Sequence, residues 1–233
     1  MNTIRVAIDG PSGAGKSTLA RSAAKKLGFW YVDTGAIYRT IGLYVYRKRA
    51  FPGDGAAVAA LLPEIHAEVR YDAEGRQKMY LNGEDVSEEI RIPEISDYAS
   101  RVAEVPAVRD YLMEMQRSLA RDHNVIMDGR DIGTVVLPDA EVKIYLTASI
   151  EERAKRRMLD YERKGTPKPY EEVLQEARER DYRDSHREIA PLRQAEDAAL
   201  LDTTELDEQE SEAALLRLIR ERVGQRNLLI VYL

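Results

Sequence analysis

The segment Gly10-Pro11-Ser12-Gly13-Ala14-Gly15-Lys16-Ser17-Thr18 carries the densest chemistry in the sequence. It lies between Ile4-Arg5-Val6-Ala7-Ile8-Asp9, which reads as a strand, and Leu19 through Leu27, which reads as an amphipathic helix. Gly-x-x-x-x-Gly-Lys-Ser in that setting is a phosphate-cradling P-loop. Glycines at 10, 13 and 15 let successive N–H groups turn inward at an anion, and a helix beginning near Gly15 adds its positive dipole end. All nine residues from Gly10 to Thr18 are therefore expected to bind the phosphates of a nucleoside triphosphate. Lys16 would reach the β and γ phosphates, and Ser17 would place its hydroxyl on Mg²⁺. The alternative is a plain glycine-rich turn, and the strand-helix context counts against it.

A second concentration of charge lies between residues 149 and 193, where nine arginines are nearly balanced by acids. Arg180, Arg183 and Arg187 fall at i, i+3 and i+7, one stripe of a helix, with Asp184 beside them. A solvated ladder of i,i+4 ion pairs is the ordinary reading of such a stripe. The other reading is that it folds onto phosphates. Phosphoryl transfer leaves the protein little covalent work, so positioned Arg, Lys and Mg²⁺ are the expected catalysts. A P-loop in the same chain favours this second reading.

Composition narrows the classes. At 233 residues and 44% hydrophobic, the chain can bury a proper core as one domain with insertions. The absence of cysteine excludes disulfides, thiol catalysis and thiolate metal sites. His66, His123 and His186 are scattered and form no ligand cluster. There is no cationic-apolar signal and no apolar run of spanning length, so a soluble cytoplasmic enzyme is expected, with no membrane partner. A net charge of -6 and a pI near 5.3 argue against a nucleic-acid partner. They also disfavour a nucleic-acid-stimulated ATPase. A regulatory GTPase is disfavoured because no Asn-Lys-x-Asp tetrad occurs.

The elements that must position these residues alternate. After the first helix, Gly28 reads as a stop and Phe29-Trp30-Tyr31-Val32 as a strand ending at Asp33. Thr34 is expected to cap a helix through about Arg49. Further strands are expected at Asn124 to Met127, Val142 to Leu146 and Ala199 to Leu201. Asp128-Gly129 closes the first of these, and Asp128 either orients Mg²⁺ or holds a turn. Strands alternating with helices predict a parallel sheet with ligands beyond its carboxyl ends. Two segments interrupt the alternation. Residues 64 to 92 read as a small antiparallel sheet with turns at Asp72 to Gly75 and at Asn82-Gly83. Residues 149 to 193 read as two charged helices hinged at Lys164 to Pro169, a flap able to close over a site. The apolar run Leu228 to Leu233 could pack on the core or on a partner.

Five motifs together resemble the bacterial cytidylate kinase family, in the right order over nearly the whole chain. They are Gly10 to Lys16, Asp33 to Arg39, Leu81 to Val86, Asp128 to Val136, and Arg180 to Asp184 followed by Ala190-Pro191-Leu192. The resemblance implies an α/β P-loop three-layer fold with a five-stranded parallel sheet, an inserted small antiparallel sheet and a helical lid. It implies a core of residues 1–33, 120–148 and 194–233, a monophosphate-binding region at about 34–119 and a lid at about 149–193. The implied reaction moves the γ-phosphoryl of ATP to CMP or dCMP in a monomer; UMP or AMP is the rival acceptor. By the same resemblance, Arg39, Arg130 and Arg187 grip the acceptor phosphate, and Arg180 and Asp184 touch the sugar. Ser100, Arg109 and Asp131 read cytosine, and Thr34 and Tyr38 line the pocket. Lys16, Arg130, Arg187 and the lid residues Arg156, Arg157 and Arg183 approach the transferring phosphoryl. Cytosine itself supports that polar set: a carboxylate suits its exocyclic amine, and a guanidinium or hydroxyl suits its N3 and O2.

Overall fold

The computed structural model describes residues 3–163 and 165–224. In chain order it begins β1 (Arg5–Asp9), α1 (Lys16–Leu27), β2 (Trp30–Asp33), α2 (Thr34–Arg47) and α3 (Gly55–Leu61). There follow β3 (Ala67–Tyr71), β4 (Gln77–Leu81), β5 (Glu84–Asp85), α4 (Pro93–Val102) and α5 (Pro106–Leu119). The remainder is β6 (Val125–Gly129), β7 (Val142–Thr147), α6 (Ile150–Arg163), α7 (Tyr170–His186), β8 (Ala199–Asp202) and α8 (Glu208–Gly224). The apolar run at 228–233 and Lys164 lie outside the described residues.

The fold is α/β, with a five-stranded parallel sheet in the order β2-β6-β1-β7-β8 and a three-stranded antiparallel sheet β3-β4-β5. The chain forms two compact units, Met1–Phe29 with Asn124–Leu233, and Trp30–His123.

In the first unit β1 pairs in parallel with β6 and β7, and β7 with β8. Val6, Ala7 and Ile8 are buried without alternation, as are Val125, Ile126 and Met127, because both faces of these strands are covered. The register sets Asp9 opposite Gly129 and Tyr145. The loop beginning at Gly10, the Arg130-Asp131 segment and the Ala148-Ser149 connection therefore leave one edge of the sheet, the carboxyl edge where open parallel sheets bind ligands. Helix α1 buries Leu19, Ala20, Ala23 and Ala24 and ends at Gly28 as expected. Lys25 and Lys26 in its last turn suit the negative dipole end. Glu212 of α8 takes bonds from Ser22 and from Lys26, the latter at 2.7 Å.

In the second unit α2 buries Ala36, Ile37, Tyr38, Thr40, Ile41, Leu43 and Val45. Its cap differs from expectation. Asp33 is the cap, its Oδ1 accepting the Ala36 N–H at 2.8 Å, and Thr34 is already the first helical residue. The helix closes at Arg47, short of Arg49, which has a positive φ of 56°. The small sheet follows its turn chemistry: Asp72 Oδ1 accepts from the Glu74 and Arg76 N–H groups. Asn82 and Gly83 both have positive φ, 51° and 87°, the pairing that closes a tight hairpin.

One residue shows how tightly the loop edge is built. Gly10 has φ 151°, and a Cβ there would stand 1.9 Å from the Leu146 carbonyl oxygen on β7. Neither backbone can yield without breaking the β1-β7 ladder, so Gly10→Ala is expected to cost about 3 kcal/mol or more. Urea unfolding measures this; a loss under about 1 kcal/mol would contradict the packing.

Candidate active site

The first unit gathers most of the charged residues singled out from the sequence. The loop runs from the end of β1 into α1 with Gly13 and Gly15 at φ 79° and 88°, and Gly15 stands at the head of the helix. Lys16 is 5% exposed and donates from Nζ to the Pro11 carbonyl at 2.7 Å, so the loop's own backbone holds the amine inside the curl. Burial, and then the neighbouring Arg130, push the Lys16 amine well below its usual range, against the attraction of Asp128, Asp184 and Asp9. An anion arriving at the loop would relieve this electrostatic deficit.

Ser17 Oγ donates to Asp128 Oδ2 at 2.9 Å, and Asp128 is 4% exposed at the end of β6. A hydroxyl and a carboxylate so close, both hard oxygen donors beside a phosphate cradle, suit Mg²⁺. That ion binds through one or two protein oxygens and substrate phosphates rather than a full protein cage. Among the described residues no cluster of three or more His, Asp or Glu could form such a cage.

Two residues of the stripe segment, Asp184 and Arg187, are bonded to the segment after β6. Arg130 donates from Nε to Asp184 Oδ2 at 2.7 Å, and Arg187 donates from Nη2 to Asp131 Oδ1 at 3.2 Å and from Nε to the Ala190 carbonyl at 2.6 Å. Both pairs join α7 or its exit to the segment after β6, and both carboxylates are buried. Arg187 itself lies just past the helix, in extended conformation. Burial alone would push the Asp184 carboxyl up. Arg130, then Arg180 and Arg187, outweigh it and hold Asp184 below the usual carboxylate range. Arg183 sits half-buried on α7.

On α6, Arg156 donates to the Thr203 carbonyl at 2.8 Å, to Thr203 Oγ1 at 3.2 Å and to Glu152 at 3.1 Å. Its Nη1 lies 3.9 Å from where a Cβ on Gly15 would stand, which sets it beside the phosphate loop. Arg157 turns instead toward the Tyr161 hydroxyl, 3.1 Å from Nη2, and Glu176.

Arg153 is the residue that sequence reasoning missed. Buried at the start of α6, it forks onto both oxygens of Asp181 at 3.0 and 2.7 Å. It also donates to the Ser12 carbonyl at 3.1 Å and the Ala148 carbonyl at 2.9 Å. One guanidinium thus ties the phosphate loop, the exit of β7 and α7 together. Its only sequence signal was membership of the arginine-rich segment. Asp9 is also buried at the loop's threshold, and burial pushes its carboxyl up to about 7 against two backbone N–H donors.

The second unit holds the other predicted residues. Arg39 donates from Nη2 to Asp33 Oδ2 at 2.8 Å. Its Nε is a buried donor with no partner among the described residues, which suits a ligand oxygen. Burial would raise the Asp33 carboxyl, but Arg39, the Ala36 N–H and Arg91 together hold it low. Thr34, Tyr38 and Ser100 are buried. Arg109, 3% exposed on α5, places its guanidinium 5.9 Å from the centre of the Tyr38 ring and donates to the Ala103 carbonyl at 3.4 Å. A buried set this polar has the donor and acceptor chemistry that a polar ligand would need.

A family profile described as cytidylate kinase matches residues 6–221. A cytidylate kinase of Carboxydothermus hydrogenoformans is 50% identical over 224 residues, covering 96% of this chain and 99% of its own. One of Caldicellulosiruptor bescii is 49% identical over 210 residues, covering 90% and 92%. Among solved structures, an uncharacterized protein from Eubacterium ventriosum shares the fold with a TM-score of 0.51 at 13% identity, covering 93% of this chain and 98% of its own. No helix among the described residues is long and apolar enough to cross a membrane.

The buried pairs give a pH prediction. Asp184 is held below its ordinary value, so it stabilises the fold in full above about pH 4 and loses that contribution as pH falls through its folded-state value. Stability of the unaltered chain, followed by denaturant unfolding, should therefore fall more steeply below about pH 4 than that of Asp184→Asn. Equal slopes would remove the charge argument.

Proposed function

The chain belongs to the cytidylate kinase family: it transfers the γ-phosphoryl group of ATP to CMP or dCMP, giving ADP and CDP or dCDP, and we propose how its residues divide that work. The carrying observation is the P-loop with Lys16 held inside it, beside the ion pairs Arg130–Asp184 and Arg187–Asp131.

In this reading Gly10 through Thr18 bind the ATP phosphates, with backbone N–H groups and the α1 dipole facing the anion. Lys16 exchanges the Pro11 carbonyl for phosphate oxygens. Ser17 and Asp128 would hold Mg²⁺, which when bound neutralises charge on the phosphates and orients them. Arg39, Arg130 and Arg187 take the acceptor phosphate, where their planar forks meet two oxygens at once. Arg180 and Asp184 take the sugar. Ser100, Arg109 and Asp131 read cytosine, and Thr34 and Tyr38 line the acceptor pocket. Arg156 and Arg183 approach the transferring group.

No general base is required. The nucleophile is a phosphate oxygen already largely ionised near neutral pH, since its second pKa is about 6. Catalysis then rests on alignment and on positive charge already in place where negative charge spreads in the transition state. The carboxylates hold the guanidinium groups oriented while keeping their burial affordable. Helices α6 and α7, joined through residues 164–169, serve as a lid that excludes water, because an exposed γ-phosphoryl could pass to water instead.

Base selection follows from unpaired groups. Cytosine presents its amine to Asp131, whereas uracil would present an oxygen to that carboxylate and leave both unsatisfied. In competition assays with CMP, dCMP, UMP, AMP and GMP, CMP and dCMP should lead in kcat/KM by about 100-fold or more. Comparable rates for UMP or AMP would reassign the acceptor. Arg187→Ala should lower kcat/KM for CMP by about 100-fold while KM for ATP shifts little. An unimpaired variant would return Arg187 to a purely structural ion pair.

A further inference from the structure

Asp9 has no part in the machinery above, yet its geometry is unusually directed. It is the last residue of β1, next to Gly10, and is 5% exposed. Its two carboxylate oxygens serve two consecutive backbone donors. Oδ1 accepts from the Ile132 N–H and Oδ2 from the Gly133 N–H, each at 2.7 Å. These donors open a single π-helical turn, Ile132–Val136, that begins directly after Asp131. A helical turn leaves its first N–H groups without internal acceptors. Further along, the Val135 and Val136 N–H groups return to the Asp131 carbonyl at 2.9 and 3.1 Å. The segment that presents Arg130 and Asp131 is therefore pinned at its root by one side chain from the strand that launches the phosphate loop.

We propose that Asp9 is a positioning residue for acceptor selection: it fixes the turn after Asp131 so that the Asp131 carboxylate and the Arg130 guanidinium stand in register with the phosphate loop. This rests on the acceptor reading above. The demand is for two acceptors. Asparagine has the same shape but replaces one oxygen with an NH₂ group, setting a donor against a backbone donor that then has no partner. The turn must shift to relieve this, and Asp131 shifts with it.

The test compares Asp9→Asn with the unaltered full-length chain, using CMP, UMP and ATP as the varied substrates. The expected result is a CMP-to-UMP ratio of kcat/KM lowered about 10-fold, KM for CMP raised about 10-fold and KM for ATP changed by less than about twofold. If Asp9 acts through Asp131, adding Asp9→Asn to Asp131→Asn lowers the ratio no further, because the two changes disable one device. A variant that loses ATP and CMP affinity alike with the ratio intact, or losses that multiply in the double variant, would overturn the inference. Should Asp9→Asn not fold, Asp9→Glu keeps both oxygens but displaces the turn by a methylene, and should also lower the ratio. Failure of both to fold would make Asp9 a stability residue and overturn the inference too. An unaltered chain with no preference for CMP would sink the acceptor reading itself. A preference that survives in the variant sinks this inference alone.

Discussion

Charge buried beside charge is the constraint on which the first unit depends. A guanidinium or ammonium removed from water is tolerable only with an anion and good hydrogen bonds at hand. Here Arg130, Arg153 and Arg187 are each set against a carboxylate from another element, while among the described residues Lys16 donates to a backbone carbonyl alone. That asymmetry assigns work. The paired arginines are oriented in advance, and the lysine, driven below its usual range by burial and Arg130, is the group with most to gain from a phosphate.

The same constraint explains the local architecture. Parallel register brings the ends of β1, β6 and β7 level, so three connections leave one edge together. Their backbones approach so closely that Gly10 has no room for a Cβ. Arg153 and Asp9 then lock these connections to one another and to α7, one by a forked guanidinium, the other by a carboxylate across two N–H groups. The phosphate loop, the Arg130-Asp131 segment and α7 are thereby held to one another along one edge of the sheet.

Much of this was legible in the sequence. The P-loop, the alternation of strands with helices, the antiparallel insert and its Asn82-Gly83 turn follow from spacing and turn chemistry that act locally. What was not legible is what depends on long-range partners. Thr34 looked like a helix cap because Ser and Thr are good caps, yet Asp33 is the cap, and the same carboxylate also receives Arg39 six residues on. Asp128 could have been a turn residue; only the fold brings Ser17 onto it. Arg153 was one arginine among nine in its segment, and nothing in its neighbourhood announced Asp181 as its partner, 28 residues away. Helical periodicity placed Arg187 on a stripe, but the helix stops one residue short of it, and its alignment comes from Asp131 and Ala190.

We propose that guanidinium groups held by carboxylates grip the acceptor phosphate. Side-chain ¹⁵N NMR during titration with CMP, with Arg130 and Arg187 assigned by single substitutions, tests it most directly. Both Nε–H signals should shift and saturate together with CMP, and stay put with cytidine, which lacks the phosphate. Signals unmoved at saturating CMP in a chain that still turns over would contradict it.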